Sequence, residues 1–489
     1  MKQTIAIVSR PGDWPLEIPG VEVVLARDYL TDGAWTKNRR VHVFNLCRSY
    51  RYQTEGYYVS LLAAARRHRP FPALMTVLDM KSRAVVRTVD EDLDELMQKC
   101  LGEIRSERFE LSIYFGKNMA KRHMRLARSL FAQFPAPLLR ASFQRGERWR
   151  LGSVTPIAFR DVPDSHQDFL QEAAREYFAR PRYQTRRART SRYDLAILYN
   201  PEEELAPSDP KALARFRDAA QQVGFGVEMI ERDDYGRLGE FDALFIRETT
   251  AVNHYTFRFA QRAESEGLVV IDDPDSILRC TNKVFQTEVF DLHKVPTPRT
   301  FITDEINVEE VEQRVGFPCV LKYPDSAFSQ GVLKCNDAAE LQENGTRILA
   351  DSHLLLVQEF LPSDFDWRVG IFDGKPLYAC RYHMVKGHWQ IIKKSGTGRF
   401  RYGKVDPVPM EEVPPVALET AVKAAAAIGD GLYGVDLKQI GERFVVTEVN
   451  DNPNLDAGSE DAHLKDELYL GIMRGFLARV EARKRGGEA

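Results

Sequence analysis

The sequence predicts a multidomain protein that combines α/β and α+β folds. Its 489 residues exceed what one compact hydrophobic core normally holds, which favours about three domains. After Leu195, strands and helices alternate in the rhythm of a small parallel α/β domain. From residue 280 onward, many short strand-like runs are separated by helical stretches, which is typical of an α+β fold.

These changes along the chain predict four segments. Residues 1–180 form an N-terminal accessory domain, 181–193 a basic linker, 194–280 a small α/β domain, and 281–480 the domain that carries the chemistry. The run RPRYQTRRARTSR, residues 180–192, covers nearly all of this linker and is rich in arginine and poor in apolar residues, so it cannot bury a core. A contact with nucleic acid or an acidic peptide is the alternative interpretation of this segment.

The composition limits the function and the compartment. The net charge of −3 disfavours a protein that binds nucleic acid mainly through its overall charge. The sequence contains no run of eighteen apolar residues, so a membrane span is not expected. The first residues lack a signal-peptide cleavage pattern. The six cysteines contain no CxxC pair, which favours reduced thiols over disulfides or a zinc site. We therefore expect a cytoplasmic protein.

The first segment mixes strands and helices without a chemical motif. The apolar patterns predict strands at Ile5–Val8, Val41–Leu46 and Leu111–Phe115, helices at Gln53–His68 and Asp90–Ile104, and a hairpin of Leu138–Phe143 with Trp149–Leu151. This mixture is compatible with either an α+β or an α/β fold.

The second segment predicts a parallel sheet with a crevice at one edge. Strands are expected at Leu195–Tyr199, Val227–Ile230, Ala243–Ile246 and Leu268–Ile271. Ser208-Asp209-Pro210 has the chemistry of a helix start, a cap residue before a first-turn proline. At the carboxyl ends of the strands, Arg247 and Glu248 are expected to line the crevice. A dinucleotide site is disfavoured because no GxGxxG pattern is present.

Near the C-terminus, two β-like segments joined by a turn through Gly441 carry polar residues suited to a metal. Asp436 and Glu448 can lie on one face of the hairpin, and Asn450 shares the face of Glu448 by period-two geometry. Two carboxylates and an amide oxygen are ligands that Mg²⁺ or Mn²⁺ prefers. Ordinary solvent-facing acids are the alternative interpretation.

Three other patterns point to a phosphate-bearing ligand. Lys322 ends an apolar strand before the Ser/Gly-containing loop Ser326–Gly331, whose N–H groups can cover phosphates. The run Leu354–Leu361 can offer backbone groups to adenine, with Glu359 or Asp366 on ribose hydroxyls. Arg368 and Arg381, on neighbouring strands, suit a carboxylate or phosphate. The alternatives are a plain edge charge for Lys322, a core strand for Leu354–Leu361, and surface salt bridges for the two arginines.

In this order, the segments resemble the ATP-grasp superfamily, most nearly its RimK-like branch of carboxylate–amine ligases, over about residues 195 to 480. Residues 194–280 are similar to a pre-ATP-grasp domain, and the first 180 residues resemble the extra N-terminal domain of some RimK-like proteins. The resemblance implies ATP and Mg²⁺ (or Mn²⁺) as cofactors. It implies catalytic roles for Arg368 and Arg381, metal binding by Asp436, Glu448 and Asn450, and nucleotide binding by Lys283, Lys322, Ser329, Gly331, Gln358, Glu359, Phe360, Leu361 and Asp366.

Two departures from the family pattern concern the substrate. Between Arg381 and the metal residues, the ribosomal-protein ligases of the family carry an Arg-Ser-Asn-type stretch, whereas this chain has Trp389–Arg399. Its lysines, among them Lys394, are interpreted as binding phosphate or an acidic substrate. Asp456 lies where the family has a small-residue turn, and either binds a substrate amine or caps a helix.

The resemblance implies an enzyme that forms an amide or peptide bond through an acyl-phosphate and releases ADP. The expected substrate is an amino acid, a peptide or a protein terminus, with no nucleic-acid or membrane partner, and a homo-oligomer is compatible with the extra domain. Two alternatives stay open, a nucleotide-binding regulatory protein on the same scaffold and an ATP-dependent kinase without ligation.

Overall fold

A computed structural model describes residues 3–37, 41–66, 68–81, 91–179, 191–325, 331–394 and 400–485. The chain divides into two compact units. The first comprises Met1–Thr190 together with Glu231–Phe241, and the second comprises Ser191–Ile230 together with Asp242–Ala489. Within the described residues, no helix combines the length and apolar character that crossing a membrane requires.

The first unit contains a four-stranded parallel sheet in the order β2-β1-β3-β4. Its strands are β1 (Gln3–Val8), β2 (Val21–Leu25), β3 (Val41–Asn45) and β4 (Arg69–Phe71), with helices α1 (Ala26–Thr31), α2 (Glu55–Ala65) and α3 (Leu74–Asp79). Helix α2 confirms the helix predicted from Gln53, although it ends before His68.

An antiparallel three-stranded sheet completes the first unit. It consists of β5 (Arg108–Tyr114), β6 (Leu138–Arg145) and β7 (Trp149–Pro156), accompanied by α4 (Glu91–Leu101), α5 (Met124–Gln133) and α6 (Gln167–Phe178). The pairing of β6 with β7 confirms the predicted hairpin. One apolar core joins residues of both sheets with α4, α5 and α6.

The second unit begins with another four-stranded parallel sheet, in the order β11-β10-β8-β9. The strands are β8 (Tyr193–Leu198), β9 (Phe225–Ile230), β10 (Ala243–Ile246) and β11 (Val269–Ile271), with α7 (Pro210–Gln222), α8 (Tyr255–Ser265) and α9 (Pro274–Thr281). The predicted parallel α/β fold is confirmed. As expected, Asp209 caps α7 by accepting a hydrogen bond from the Ala212 N–H, ahead of Pro210.

A four-stranded antiparallel sheet follows, in the order β12-β15-β13-β14. It contains β12 (Thr300–Thr303), β13 (Cys319–Lys322), β14 (Val332–Cys335) and β15 (Leu355–Glu359), with α10 (Lys283–Leu292), α11 (Val308–Arg314) and α12 (Ala338–Asp351). Lys322 is the last residue of β13, so a buried strand delivers it to the edge of the sheet.

The last sheet has five antiparallel strands in the order β20-β17-β16-β21-β22. Its region contains β16 (Phe365–Phe372), β17 (Lys375–His383), β18 (Ile392–Lys394), β19 (Phe400–Tyr402), β20 (Val405–Val408), β21 (Leu432–Ile440) and β22 (Arg443–Asp451), with α13 (Pro415–Ile428) and α14 (Asp466–Arg485). The apolar side chains of β16, β21 and β22 pack against α13. The opposite face is mixed, because Phe372, Cys380 and Leu432 join another apolar core while Arg368 and Asp436 form an ion pair there.

Candidate active site

The hairpin of β21 and β22 brings the three predicted metal ligands together. Asp436 lies directly opposite Glu448, and Asn450 lies opposite Gly434. Because side chains alternate between the two faces of a strand, Glu448 and Asn450 point to one face while the intervening Val449 is buried in the core. All three polar residues line one cavity of the second unit.

One of these side chains, Asp436, is held by an arginine on the neighbouring strand and by Asn450. Arg368 donates from Nε and Nη2 to the two oxygens of Asp436, both at 2.7 Å. Asn450 Nδ2 donates to Asp436 Oδ2 at 3.1 Å. Burial raises the pKa of Asp436, and attraction to Arg368 opposes that shift. The carboxylate is thus fixed in orientation by two partners.

Two buried lysines converge on Glu448. Lys283, the first residue of α10, places Nζ 2.9 Å from Glu448 Oε1. Lys322 Nζ lies 3.5 Å from the carbonyl oxygen of Thr447. Burial lowers the pKa of Lys322 to about 8, although Glu448 opposes the shift. Burial alone would raise the pKa of Glu448, yet the two lysines lower it below its usual value.

The donor set fits a hard divalent cation. Two carboxylates on facing strand positions and an amide oxygen are ligands for Mg²⁺ or Mn²⁺. The Asn450 amino group is already used as a donor to Asp436 and to the Gly434 carbonyl, so the amide oxygen is the donor atom that remains. Among the described residues, no group of three or more His, Cys, Asp or Glu side chains is arranged to hold a metal, and the mixed set here is the candidate.

The residues predicted for adenine and ribose already have side-chain partners. Gln358 donates to Thr300 Oγ1 at 2.8 Å, and Glu359 accepts from Arg299 Nε at 2.7 Å. Asp366 accepts from Lys438 Nζ at 2.6 Å. Phe360 and Leu361 follow the end of β15, so their backbone groups are outside its ladder. Recognition of adenine by backbone groups of this segment therefore stays a prediction.

Two predicted phosphate-binding side chains lie outside the described part of the chain. Ser329 belongs to residues 326–330, and the side chain of Lys394 is likewise not described, although its backbone ends β18. Gly331 is described. It lines the cavity with a φ of 80°, a conformation that glycine adopts readily.

The structure does not bring Arg381 to the cavity that Arg368 lines. In the pairing of β16 with β17, Arg381 faces Trp367, whereas Arg368 faces Cys380. Because neighbouring residues of a strand point to opposite faces, the two arginines lie on opposite sides of the sheet. The guanidinium of Arg381 lies 4.8 Å from the ring centroid of the buried Trp367. The predicted joint action of Arg368 and Arg381 on one anion is not supported by this geometry.

The cavity has a volume of about 1280 Å³, and its lining extends beyond the metal-ligand candidates. Six further carboxylates belong to the lining, and we call them together the acid-rich end: Glu203, Glu204, Asp209, Asp451, Asp456 and Glu460. Within the described chain, none of the six forms an ion pair. Five of them accept hydrogen bonds from hydroxyl or backbone groups, as Asp451 does from Thr250 Oγ1 at 2.6 Å.

Burial changes the pKa values of three carboxyl groups of the acid-rich end. It raises the pKa of Asp451 to about 7, and it raises the pKa values of Asp456 and Glu460 above their usual values. Asp456 Oδ1 accepts from the Asp209 N–H at 2.8 Å and also lines the cavity. A group of carboxylates that forms no ion pair within the described chain favours a positively charged ligand.

Sequence reasoning placed the crevice correctly but not all of its lining. Arg247 is 0% exposed and Glu248 is 1% exposed, so both lie beneath the surface that they were expected to line. The cavity wall is formed instead by Thr249–Asn253 after β10 and by Glu203–Pro210 after β8. In a parallel sheet of this strand order, the crevice opens between these two strands. The same rule, applied to the strands expected from the sequence, would have predicted that the loop after β8 lines the crevice.

Two family models match the chain. The RimK-like ATP-grasp N-terminal domain matches residues 26–173, and the RimK-like ATP-grasp domain matches residues 280–467. The second match contains the lysines, the arginines and the metal-ligand candidates described above.

Several named proteins are similar in sequence to parts of this chain. An alpha-aminoadipate–LysW ligase, LysX, from Saccharolobus solfataricus is 29% identical over 200 residues, which are 39% of this chain and 68% of that protein. A probable alpha-L-glutamate ligase from Vibrio vulnificus is 27% identical over 250 residues, 50% of this chain and 78% of that protein. A formate-dependent phosphoribosylglycinamide formyltransferase from a Nitratiruptor species is 26% identical over 230 residues, 43% and 56% respectively.

These relatives differ in the substrates that their names state. Both family models, however, describe domains of RimK-like ATP-grasp proteins. The matched region includes the paired strands that carry Asp436 and Glu448, and the N-terminal match falls within the first compact unit. The chain belongs to the RimK-like branch of the ATP-grasp ligases, enzymes that form carbon–nitrogen bonds and release ADP, and it carries the RimK-like N-terminal domain.

Proposed function

We propose that this protein joins a carboxylate to an amine in an ATP- and Mg²⁺-dependent reaction, with an amino acid, a peptide or a protein terminus as substrate. One observation carries the proposal. A single cavity is lined by Arg368 and the three metal-ligand candidates, and also by six carboxylates that form no ion pair in the described chain. The first set suits a nucleoside triphosphate with its metal ion, and the second suits an ammonium group.

In the first step, a carboxylate oxygen of the substrate attacks the γ-phosphorus of ATP. The bond from that phosphorus to the β–γ bridging oxygen breaks, and ADP leaves. Lys283 and Lys322 would offset the negative charge of the phosphates, because both ammonium groups reach Glu448 and its neighbour Thr447. Asp436, Glu448 and Asn450 would hold Mg²⁺ or Mn²⁺, which when bound supplies further charge compensation on phosphate oxygens.

In the second step, the amine nitrogen attacks the acyl carbon of the acyl-phosphate. The resulting tetrahedral anion expels inorganic phosphate, and the nitrogen loses a proton as the amide forms. Arg368 lies on the cavity side of the sheet and would stabilise this anion. The acid-rich end would bind the amine as an ammonium ion, since its six carboxylates have no ion-pair partner in the described chain. One of these carboxylates would then accept a proton from the ammonium ion, which leaves the neutral amine as the nucleophile.

The names of the relatives support the substrate class without deciding the substrate. LysX and the glutamate ligases are named for attaching amino acids, aminoadipate and glutamate respectively. The acid-rich end distinguishes the two substrates of this chain, because carboxylates repel a second carboxylate and attract an amine. We therefore assign the amine, rather than the carboxylate, to this end.

The experiment that tests the function combines an ADP-release screen with mass spectrometry. The purified chain is incubated with ATP, Mg²⁺ and pairs drawn from the amino acids and short peptides. A ligase yields a product whose mass equals the two substrates minus one water. ADP release without such a product would instead indicate a kinase or an ATPase and contradict the proposal.

Substitution of Glu448 by Gln should lower ADP release by about a hundredfold or more, because a carboxylate ligand and the partner of Lys283 are lost together. Glu442→Gln is the matched control. Glu442 lies on the same hairpin but is exposed at its turn, so this variant should keep wild-type activity. Equal activity of both variants would contradict the role given to Glu448.

A further inference from the structure

Arg247 is a fully buried cation outside the set of residues assigned to the reaction. It follows β10 directly and is 0% exposed. Burial lowers its pKa to about 10, so the guanidinium stays protonated at neutral pH. An arginine in this position must satisfy its donors internally, since an unpaired buried charge is strongly unfavourable.

The guanidinium satisfies its donors on two loops that are far apart in sequence. Nε and Nη2 donate to Ser208 Oγ at 3.0 and 2.8 Å, and Nη2 also donates to the Pro207 carbonyl at 2.5 Å. On the other side, Nη1 donates to Asn452 Oδ1 at 2.6 Å, and Nη2 donates to the Pro453 carbonyl at 2.9 Å. One side chain thus joins Pro207–Ser208 to Asn452–Pro453.

Further hydrogen bonds connect the same two loops. Ser208 Oγ, which accepts from Arg247, donates to the Leu455 carbonyl at 3.0 Å. The Leu455 N–H donates to the Pro207 carbonyl at 2.9 Å. Asn452 has a φ of 45°, in the left-handed region that costs energy for residues other than glycine. Its side chain is held from both ends, by Arg247 and by the Glu248 carbonyl at 2.6 Å.

The two loops form much of the acid-rich end. We call residues 205–209 the first loop and residues 452–456 the second loop, and nearly all of these residues line the cavity. Asp209 and Asp456, two of the six carboxylates, belong to one loop each. The second loop also follows Asn450 in sequence after a single residue. A displacement of either loop would therefore change the spacing of the carboxylates.

We propose that Arg247 is a positioning residue that sets the geometry of the acid-rich end and thereby its affinity for the amine substrate. The proposal rests on the proposed function for the identity of that substrate. Arg247 touches neither substrate, because it lies beneath the cavity wall. Its effect passes through Ser208 and Asn452 to the two loops.

Amide hydrogen exchange on the full chain tests the positioning without any turnover. Arg247→Met removes all five donated hydrogen bonds, and Arg247→Lys keeps the charge but not the fork of donors. In Arg247→Met we expect exchange in the two loops to accelerate by about tenfold or more, with unchanged exchange around Lys283 and Lys322. Arg247→Lys should give an intermediate acceleration.

Arg279→Met serves as the control. Arg279 also donates to a distant backbone carbonyl, that of Ile428 at 2.7 Å, but contacts neither loop. Its exchange pattern in the two loops should match the wild type. Unchanged loop exchange in Arg247→Met, or a uniform acceleration throughout the second unit, would overturn the proposal. If Arg247→Met does not fold, Arg247→Lys and Asn452→Ala decide by the same criterion.

Kinetics provide the second readout, with the amino acid that gives the fastest ADP release in the wild type as the amine probe. Arg247→Lys should raise the KM for this amine by about tenfold, while the Kd for AMPPNP stays unchanged. A fall in kcat with no change in that KM would contradict the proposal. Exchange and AMPPNP binding need no ligation, so their result separates a wrong role for Arg247 from a wrong reaction for the whole protein.

Discussion

Lys322 shows how burial and nearby charges set the chemistry of a single side chain. It is 8% exposed, and burial lowers its pKa to about 8. Glu448 acts in the opposite direction, whereas the nearby Lys283 lowers the pKa further. At neutral pH the ammonium form is still dominant, so Lys322 can attract phosphate, but its proton is lost at a lower pH than that of an exposed lysine.

We predict that nucleotide affinity decreases as the pH rises through about 8. Below this value Lys322 is protonated and attracts the phosphates, and above it the neutral amine does not. The loss should approach about tenfold per pH unit for one proton. Calorimetric titration with AMPPNP between about pH 7 and pH 9 measures the effect.

Lys322→Arg is the matched variant, because a guanidinium stays protonated throughout this range. Its affinity for AMPPNP should therefore vary little with pH. The same pH dependence in both proteins would assign the titration to another group and contradict the role of Lys322.

At the scale of elements, the hairpin of β21 and β22 depends on a close approach between strands. Gly434 on β21 lies opposite Asn450. A Cβ atom at Gly434 would lie 2.8 Å from Cβ of Pro453 and 3.4 Å from Cδ of Arg368. The absence of a side chain lets Arg368 lie across the strand and reach Asp436. The hairpin thus positions three polar residues and also leaves room for their arginine partner.

Gly434→Ala should lower the free energy of unfolding by about 1–3 kcal/mol, because the added methyl group forces Pro453 or Arg368 to move. Gly471→Ala is the control with the opposite sign. Gly471 lies in the middle of α14, and the nearest atom to its added Cβ would be Leu377 Cδ1 at 3.9 Å, an ordinary contact. Better helix propensity should raise its stability by up to about 1 kcal/mol. Urea denaturation of both variants measures these changes, and a stabilised Gly434→Ala protein would contradict the close approach.

At the scale of the whole molecule, the same sheet topology occurs once in each compact unit. Read from the first strand, both parallel sheets have the order 2-1-3-4. In the second unit, the loops after the two central strands open into the cavity. In the first unit, the corresponding loops are joined by Arg48, whose Nε donates to Asp13 Oδ2 at 2.8 Å. One topology thus supports a cavity in one unit and an internal ion pair in the other.

The first unit also includes a segment from the middle of the chain, Glu231–Phe241. Within this unit, Tyr177 donates to Glu240 Oε1 at 2.6 Å, and both residues are buried. Gly236 packs closely on α5, where an added Cβ would lie 2.9 Å from the Phe131 carbonyl oxygen. The division of 1–180 and 194–280 into separate domains stays a prediction, since this segment belongs by sequence to the second and by contacts to the first.

We predict that a fragment ending at residue 190 is less stable than a fragment supplemented with a peptide of residues 231–241. Without the peptide, the hydrogen bond from Tyr177 to Glu240 and the packing of Gly236 on α5 are lost, and the hydrogen bond to a charged group alone is worth about 1–3 kcal/mol. Urea denaturation with and without the peptide measures the difference. A peptide in which Glu240 is replaced by Ala should restore less stability than the unchanged peptide, and equal denaturation curves in all three cases would contradict the prediction.

The sequence by itself determined the features that depend on neighbouring residues. The cap Asp209 before Pro210 and the hairpin turn at Gly441 follow from local chemistry. Period-two alternation correctly placed Glu448 and Asn450 on one face. The ordered motifs from Lys283 to Asn450 were sufficient to recognise the family, which the family models confirm.

Only the tertiary structure decided which side of each strand is buried and which distant segments meet. Alternation within one strand does not tell whether Arg368 and Arg381, which lie on different strands, share a face, because that depends on the register in which the strands pair. Arg247 and Asn452 are 205 residues apart, so no local pattern indicates their hydrogen bond. The physical reason is that burial is a property of the packed chain, and it converts an expected crevice arginine into an internal link between two loops.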